Sequence, residues 1–426
     1  MLMNAWVILN MVFDRKCIKL GWDIHNMFSK NRSYRMRNLI KAGLNVIKND
    51  RIVKHEGMYI VNSFMPPLNS KAYRSILTAV PGEGSEIFLS HTEGKRKAPI
   101  SIYISATSKC MYDCWHCSAA KRGIQCDTDT DRMIELVRKI QNMGTGIIGF
   151  TGGEPLLRDD LEKIISSIDD RSVSFVFSTG YGLTYERAMK LKASGLLGIA
   201  ISLDSLDSKE HDKGRGFEGA YDHAIKAINH AKKAGLYTMV QTVCTRELLA
   251  DNKLYDFARF MKELGVDEMR IIQPLPCGRL DSDSSSLLNA EEERKLIDFH
   301  IQCNHNKKLP KASVFSYFES DGQFGCGAAV QHSYIDSEGN LYPCDFVPLS
   351  FGNVFVTPID VLWQRMHGSI GKPRGYCFSK AELKDILKTK ENVKCYPLEA
   401  EDLCIECKCQ NPKLPAFYRI LKGEKV

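Results

Sequence analysis

Ser108-Lys-Cys-Met-Tyr-Asp-Cys-Trp-His-Cys117 places Cys110, Cys114 and Cys117 in a C-x3-C-x2-C spacing, with His116 directly before the last cysteine. Thiolates so spaced are metal ligands, and two occupants compete. A structural zinc ion wants four protein ligands; no fourth cysteine lies nearby, which leaves His116 to complete such a site. A [4Fe–4S] cluster can be held by three thiolates on three of its irons, with the fourth iron open to another ligand.

The rest of the chain bounds what such a site can serve. At 426 residues it is long enough for two or three domains with a sizeable core. Its fifteen cysteines gather in metal-ligand spacings, not in a disulfide framework, which implies a reducing, cytoplasmic setting. The apolar run near the start, Ala5–Leu9 and then Met11–Phe13, is too short to span a bilayer and lacks the marks of a signal peptide. Residues 1–60 hold eleven Lys/Arg and four Asp/Glu, so they account for the whole net charge of +7.

Trp6, Leu9, Phe13, Cys17, Leu20, Ile24 and Met27 recur at steps of three and four, as in one amphipathic helix. Met36, Leu39, Ile40, Leu44 and Ile47 mark a second, and Arg51–Val61 reads as a short hairpin centred on His55-Glu56-Gly57. Residues 1–97 are therefore expected to form a basic, mostly helical extension. It either packs on the enzyme as a cap or lays residues 1–48 on an anionic membrane surface. Nucleic acid is not an expected partner.

From residue 98, β and α patterns alternate. Strands are expected at Ile100–Ser105, Ile147–Thr151, Val173–Ser178, Gly198–Leu203, Tyr237–Val243 and Glu268–Gln273. Amphipathic stretches near 129–143, 158–168, 184–194, 218–234, 251–264 and 290–303 lie between and after them. Six such units predict an α/β fold, a parallel sheet with outer helices, over residues 98–305. The cysteine stretch follows the first strand directly, at the strand end where barrels of this kind place their chemistry.

The cysteine spacing and its place after the first strand resemble the radical SAM superfamily, whose enzymes have a partial (β/α)6 barrel. The resemblance implies that the open iron chelates S-adenosylmethionine (SAM). An electron from a donor such as flavodoxin or ferredoxin would then release a hydrogen-abstracting 5'-deoxyadenosyl radical. Gly152-Gly153-Glu154 at the end of the second strand looks like the family's motif for the methionine amino group. Glycines permit close backbone approach, and the carboxylate can accept from an ammonium. Ser202 and Asp204, alternating on one face after the fourth strand, can reach ribose hydroxyls or the methionine carboxylate. Arg215, in His211-Asp-Lys-Gly-Arg215-Gly216, is similar to an arginine that contacts the SAM carboxylate in the SPASM branch. His116 joins this set.

Cys326 and Cys344 stand in a C-x12-G-x4-C spacing around Gly339, which resembles the opening of a SPASM or twitch extension. Gly352-Asn-Val and Val361-Leu-Trp363 fit the same extension, and Ile335–Pro343 reads as a hairpin turning at Glu338-Gly-Asn. Residues 306–426 are thus expected to form a small Cys-rich α+β domain holding at least one auxiliary [4Fe–4S] cluster. Its ligands would come from Cys326, Cys344, Cys377, Cys395, Cys404, Cys407 and Cys409. The C-x2-C-x-C run at 404–409 departs from the full SPASM pattern, which puts a second auxiliary cluster in doubt. A zinc ribbon is the alternative use of these thiols. Asp345 follows Cys344, where anaerobic sulfatase maturases carry an Asp thought to take a proton from substrate, so it is the candidate base.

The expected function is hydrogen abstraction from an unactivated C–H bond, most simply to oxidise, cross-link or epimerise a peptide or protein residue. A lipid or small-molecule substrate is the second expectation, and a non-catalytic zinc- or cluster-stabilised binding protein the third.

Overall fold

The computed structural model describes residues 4–120, 127–281, 283, 285–383, 386, 398–400 and 412–426. Its centre is one nine-stranded sheet. Six consecutive parallel strands form the middle: β3 (Ser101–Thr107), β4 (Ile147–Gly152), β5 (Val173–Ser178), β6 (Gly198–Ser202), β7 (Tyr237–Val243) and β8 (Glu268–Ile272). Each lies within two residues of the expected bounds. Helices Thr130–Met143, Leu161–Ile165, Tyr185–Ala193, Ala220–Lys233, Lys253–Glu263 and Ala290–His305 follow the strands in turn, as a partial (β/α)6 barrel requires.

Alternation along the strands sorts the two faces. On β3, Ile102 and Ile104 pack outward among Val137, Ile140 and Ile148, whereas Tyr103 points inward with Phe177, Ala200 and Met239. The helices begin where the chain supplies caps. Asp129 accepts from the amide of Arg132, Thr184 from that of Arg187, and Asn289 with Glu292 forms a reciprocal capping box.

The sheet does not end at residue 305. β9 (Lys311–Val314) pairs parallel with β8 on one side. β10 (His332–Ile335) pairs parallel with β3 on the other, and β11 (Leu341–Tyr342) turns back on β10 at Gly339, whose φ is +95°. The cysteine-rich segment is therefore hydrogen-bonded into the barrel's first strand, with Cys326 and Cys344 toward the start of that strand and Cys110–Cys117 beyond its end.

The N-terminal extension is helical, with the expected hairpin as β1 (Val53–His55) and β2 (Met58–Ile60), turning at Glu56 and Gly57 with positive φ. The single expected first helix is two, Ala5–Phe13 and Arg15–Phe28. Asp14 breaks it by taking an extended conformation and accepting from the amides of Lys16 and Cys17. The apolar stripe is split as well: Cys17, Leu20, Ile24 and Met27 are half-buried, while Trp6 and Phe13 are 71% and 75% exposed. Helix Ala416–Lys422 packs on helix Met36–Ile47, with Asn38 donating to the Leu421 carbonyl.

Candidate functional site

The loop carrying the three cysteines is held at backbone level from two other strand ends. The amides of Asp113 and Trp115 donate to the carbonyls of Arg215 and Gly214 (2.9 and 3.1 Å), and the amide of Arg279 donates to Cys117 (3.1 Å). Arg279 also pairs with the Asp113 carboxylate. Gly278 permits this approach, since a Cβ there would stand 2.2 Å from the Cys117 carbonyl oxygen.

Gly152 and Gly153 make the loop possible from a third side. A Cβ on Gly153 would lie 2.1 Å from the Lys109 carbonyl oxygen, and one on Gly152 2.4 Å from that of Thr107. The amides of Gly153 and Glu154 donate to these same two carbonyls at 2.7 and 2.8 Å. The backbone that the glycines admit is thus the protein's own cysteine loop. Glu154 is fully buried and accepts from Ser178 Oγ, Thr179 N and Thr179 Oγ1, each at 2.7 Å, and from Leu156 N at 3.0 Å. Its carboxylate braces the end of β4 against the end of β5. Burial raises its pKa, and these donors act against the rise.

Asp204 and Arg215 form an ion pair at 2.6 Å, with His116 Nε2 3.5 Å from the same carboxylate. Asp204 also accepts from the Val243 amide and donates its own amide to His211 Nδ1. Burial alone would raise the Asp204 pKa; Arg215 and His116 overcome it and hold the carboxyl well below the usual range. Arg215 also lies 3.8 Å from the Cys114 sulfur. Burial pushes the Cys114 thiol up, and the guanidinium works against that push.

The cysteine loop, the two glycines and Arg215 share one cavity of about 690 Å³ with the second cysteine region, while Glu154 and Asp204 stand behind its walls. Its walls include Cys110, Cys114, Cys117, His116, Gly152, Gly153, Ser202 and Arg215, and also Cys326, Cys344, Asp345 and Cys377. Cys326 and Cys377 share a hydrogen bond that lowers the first thiol's pKa and raises its partner's, and burial raises that of Cys344. Cys395, Cys404, Cys407 and Cys409 lie outside the described residues. Asp345 accepts from His332 Nε2 at 2.8 Å, and the other ring nitrogen of His332 meets Ser101 Oγ at 2.8 Å.

The donor set fits clusters. Among the described residues no three His, Cys, Asp or Glu side chains gather closely enough to hold a single metal ion. A cluster asks for something else, since each thiolate meets a separate iron. The Arg215 guanidinium beside Cys114 would offset the negative charge of a thiolate-bound cluster.

His332 was not read from the sequence as a site residue, nor was His211 given a role. His332 opens β10, where the turn back into β11 brings it to Asp345, and its contact with Ser101 exists only once β10 pairs with β3. His211 had a local signal: helix Ser208–Arg215 holds it under Asp204, and burial pushes its pKa down to about 4.

Residues 104–269 match the radical SAM superfamily model, and residues 326–370 match an iron–sulfur cluster-binding domain, SPASM. The chain belongs to the radical SAM superfamily, in the branch that carries a SPASM extension. It is an enzyme that binds a [4Fe–4S] cluster and SAM, and its SPASM domain carries auxiliary iron–sulfur chemistry. It is 27% identical to an AdoMet-dependent heme synthase of Nitratidesulfovibrio vulgaris, over 71% of this chain and 86% of that one. A mycofactocin maturase of Mycolicibacterium smegmatis is 29% identical, over 58% and 65%. SuiB of Streptococcus suis, solved bound to its precursor peptide SuiA, shares the fold with a TM-score of 0.55 at 15% identity, covering 75% of this chain and 72% of that one.

Proposed function

We propose that the chain oxidises a substrate carbon by two electrons, in a cavity that joins two iron–sulfur sites. Cys110, Cys114 and Cys117 would hold the SAM-binding cluster. Cys326, Cys344 and further cysteines of the same region would hold an auxiliary one. When bound, cluster and SAM supply one-electron chemistry that removes a hydrogen atom from substrate. Asp345, steadied by His332, takes the proton that leaves next. An auxiliary cluster held by Cys326, Cys344 and further cysteines would supply the acceptor for the remaining electron. Arg215, paired with Asp204, orients the SAM carboxylate, and Glu154 keeps Gly152–Gly153 and the cysteine loop in register. The observation that carries this reading is the single cavity lined by both cysteine groups and Asp345.

A peptide or protein residue is the first substrate reading, in keeping with the mycofactocin maturase relative. A small molecule is the second. It is favoured by the heme synthase relatives, whose alignments reach 86% and 92% of their own lengths. The two-site reading is tested by iron content after anaerobic reconstitution of a Cys110→Ala/Cys114→Ala/Cys117→Ala variant. About four irons per chain should remain; an iron-free variant would remove the auxiliary site from the scheme.

For the N-terminal helices we propose contact with an anionic membrane surface. Trp6, Leu9, Val12, Phe13, Ile18 and Trp22 are exposed alongside Arg15, Lys16 and Lys19. No helix among the described residues is long and apolar enough to cross a membrane. Vesicles of phosphatidylserine and phosphatidylcholine should bind the full chain in low salt and release it in high salt. Deletion of residues 1–48 should abolish binding, and equal binding by the truncated chain would contradict the contact.

A further inference from the structure

Below the site, where residues 50–64 close the floor of the barrel, lies a group of buried charges. Glu268 and Lys311 pair at 2.8 Å, both closed to water. Glu268 also accepts from Tyr237 OH and from Ser63. Asp50 and His300 face each other at 3.4 Å and together carry no net charge, burial raising the Asp50 pKa to about 8 and lowering that of His300 to about 3. One charge is left over. Arg270, in the middle of β8, is 0% exposed and has no carboxylate within ion-pairing distance among the described residues.

Its guanidinium donates to three neutral acceptors: Ser63 Oγ at 2.5 Å, Tyr103 OH at 3.2 Å and Gln241 Oε1 at 3.3 Å. Phe64 and Phe177 stand over it at 4.7 and 4.9 Å. An arginine stays protonated and carries five N–H donors, so two have no acceptor among the described residues. A buried charge without a counter-ion is costly, and aromatic faces offset only part of that cost. Arg270 nevertheless forms part of the wall of the substrate cavity, as do Tyr103, Phe177 and Gln241. Of its three hydrogen-bonding partners only Gln241 is partly exposed. Gln241 also pairs in register with Ser202 on the neighbouring strand, at the level of the SAM motifs.

We infer that Arg270 is a substrate-binding residue that receives a carboxylate, with Tyr103 as a second donor and Gln241 as the neutral group the carboxylate displaces. An aromatic-walled site with a forked cation suits a planar carboxylate close to an apolar body. The inference deepens the proposed function, because it rests on the cavity being the substrate site. The carboxylate can come from the side chain of a porphyrin or from the end of a peptide chain.

The experiment is calorimetric titration of the anaerobic, reconstituted, SAM-loaded protein with 3-phenylpropionate and with its uncharged amide. The acid should bind at least about tenfold more tightly, as a charge-assisted pair implies. Arg270→Gln should erase the difference, and Arg270→Lys should retain part of it. Iron content reports whether each variant is folded. Displacement of the acid by Fe-coproporphyrin III or by N-acetyltrialanine assigns the source. Equal binding of acid and amide by the unaltered protein, binding of neither, or a preference that survives in Arg270→Gln overturns the inference. Formation of 5'-deoxyadenosine by the unaltered protein tests the underlying reading separately, so either can fail alone.

Discussion

Gly153 and Asp204 are the residues at which the site is most easily broken, for opposite reasons. Gly153 fails by crowding: a methyl group there meets the Lys109 carbonyl oxygen at 2.1 Å, and backbone cannot step aside as a side chain does. Gly153→Ala should cost about 1–3 kcal/mol in denaturant unfolding and lower iron uptake at Cys110–Cys117, while Gly214→Ala, with no neighbour closer than 3.6 Å, should be far milder. Asp204 fails by subtraction. Asp204→Asn leaves Arg215 buried without its partner, a loss of about 3–5 kcal/mol, which the same unfolding measurement reads. The sequence pointed to Gly153, Asp204 and Arg215 through the motifs that carry them. It read the glycines and Glu154 as SAM contacts, and Gly152 and Gly153 line the cavity. What no motif states is their bracing role: the glycines also admit the cysteine loop, and Glu154 accepts from Ser178, Thr179 and Leu156.

At the scale of elements, the six central strands were legible because each is a short run buried along nearly its whole length and followed by a helical stretch, three of which, Thr130–Met143, Tyr185–Ala193 and Ala290–His305, open on a capping side chain. Helix Ser208–Arg215 was not, because Ser-Lys-Glu-His-Asp-Lys-Gly-Arg has no apolar stripe; what holds it is Asp207 capping its start and Asp212 accepting from Gly219 and Tyr221 beyond its end. The parallel pairing of β10 with β3 was illegible too, since only the local hairpin leaves a sequence signal. The first helix shows the limit of periodicity. Its spacing is helical, yet Trp6 and Phe13 face outward, and no pattern states whether a stripe will meet protein. Replacing Trp6, Phe13 and Trp22 with Gln should leave stability within about 0.5 kcal/mol, as exposed positions do, and weaken vesicle binding. A large loss of stability in that variant would show that the stripe packs on protein.

For the whole molecule, the buried pair beneath the barrel sets a pH dependence. The folded pKa of Asp50, about 8, lies above its usual value, so its stabilisation is complete at low pH and is lost as pH rises toward 8. That of His300, about 3, lies below its usual value, so its stabilisation is complete above about 6.5 and is lost on acidification. The two slopes cancel between about pH 4 and 6.5, where folded and unfolded chains hold the same number of protons at this pair. Above it only Asp50 acts. Stability should therefore fall between pH 6.5 and 8, by up to about 1.4 kcal/mol per pH unit, and Asp50→Asn should flatten that fall in denaturant titrations. Arg270 in the same cluster left no motif in the sequence, because a charge without a partner is visible only when every neighbour is placed. The proposed chemistry turns on three thiolates at the end of β3 holding the cluster at which SAM is split. Its most direct test is 5'-deoxyadenosine, quantified after anaerobic reconstitution with iron and sulfide and addition of dithionite and SAM. The unaltered protein should form it, and the Cys110→Ala/Cys114→Ala/Cys117→Ala variant should form none while keeping its second iron–sulfur site. Formation of 5'-deoxyadenosine by that variant, or none from the fully reconstituted unaltered protein, would contradict the account.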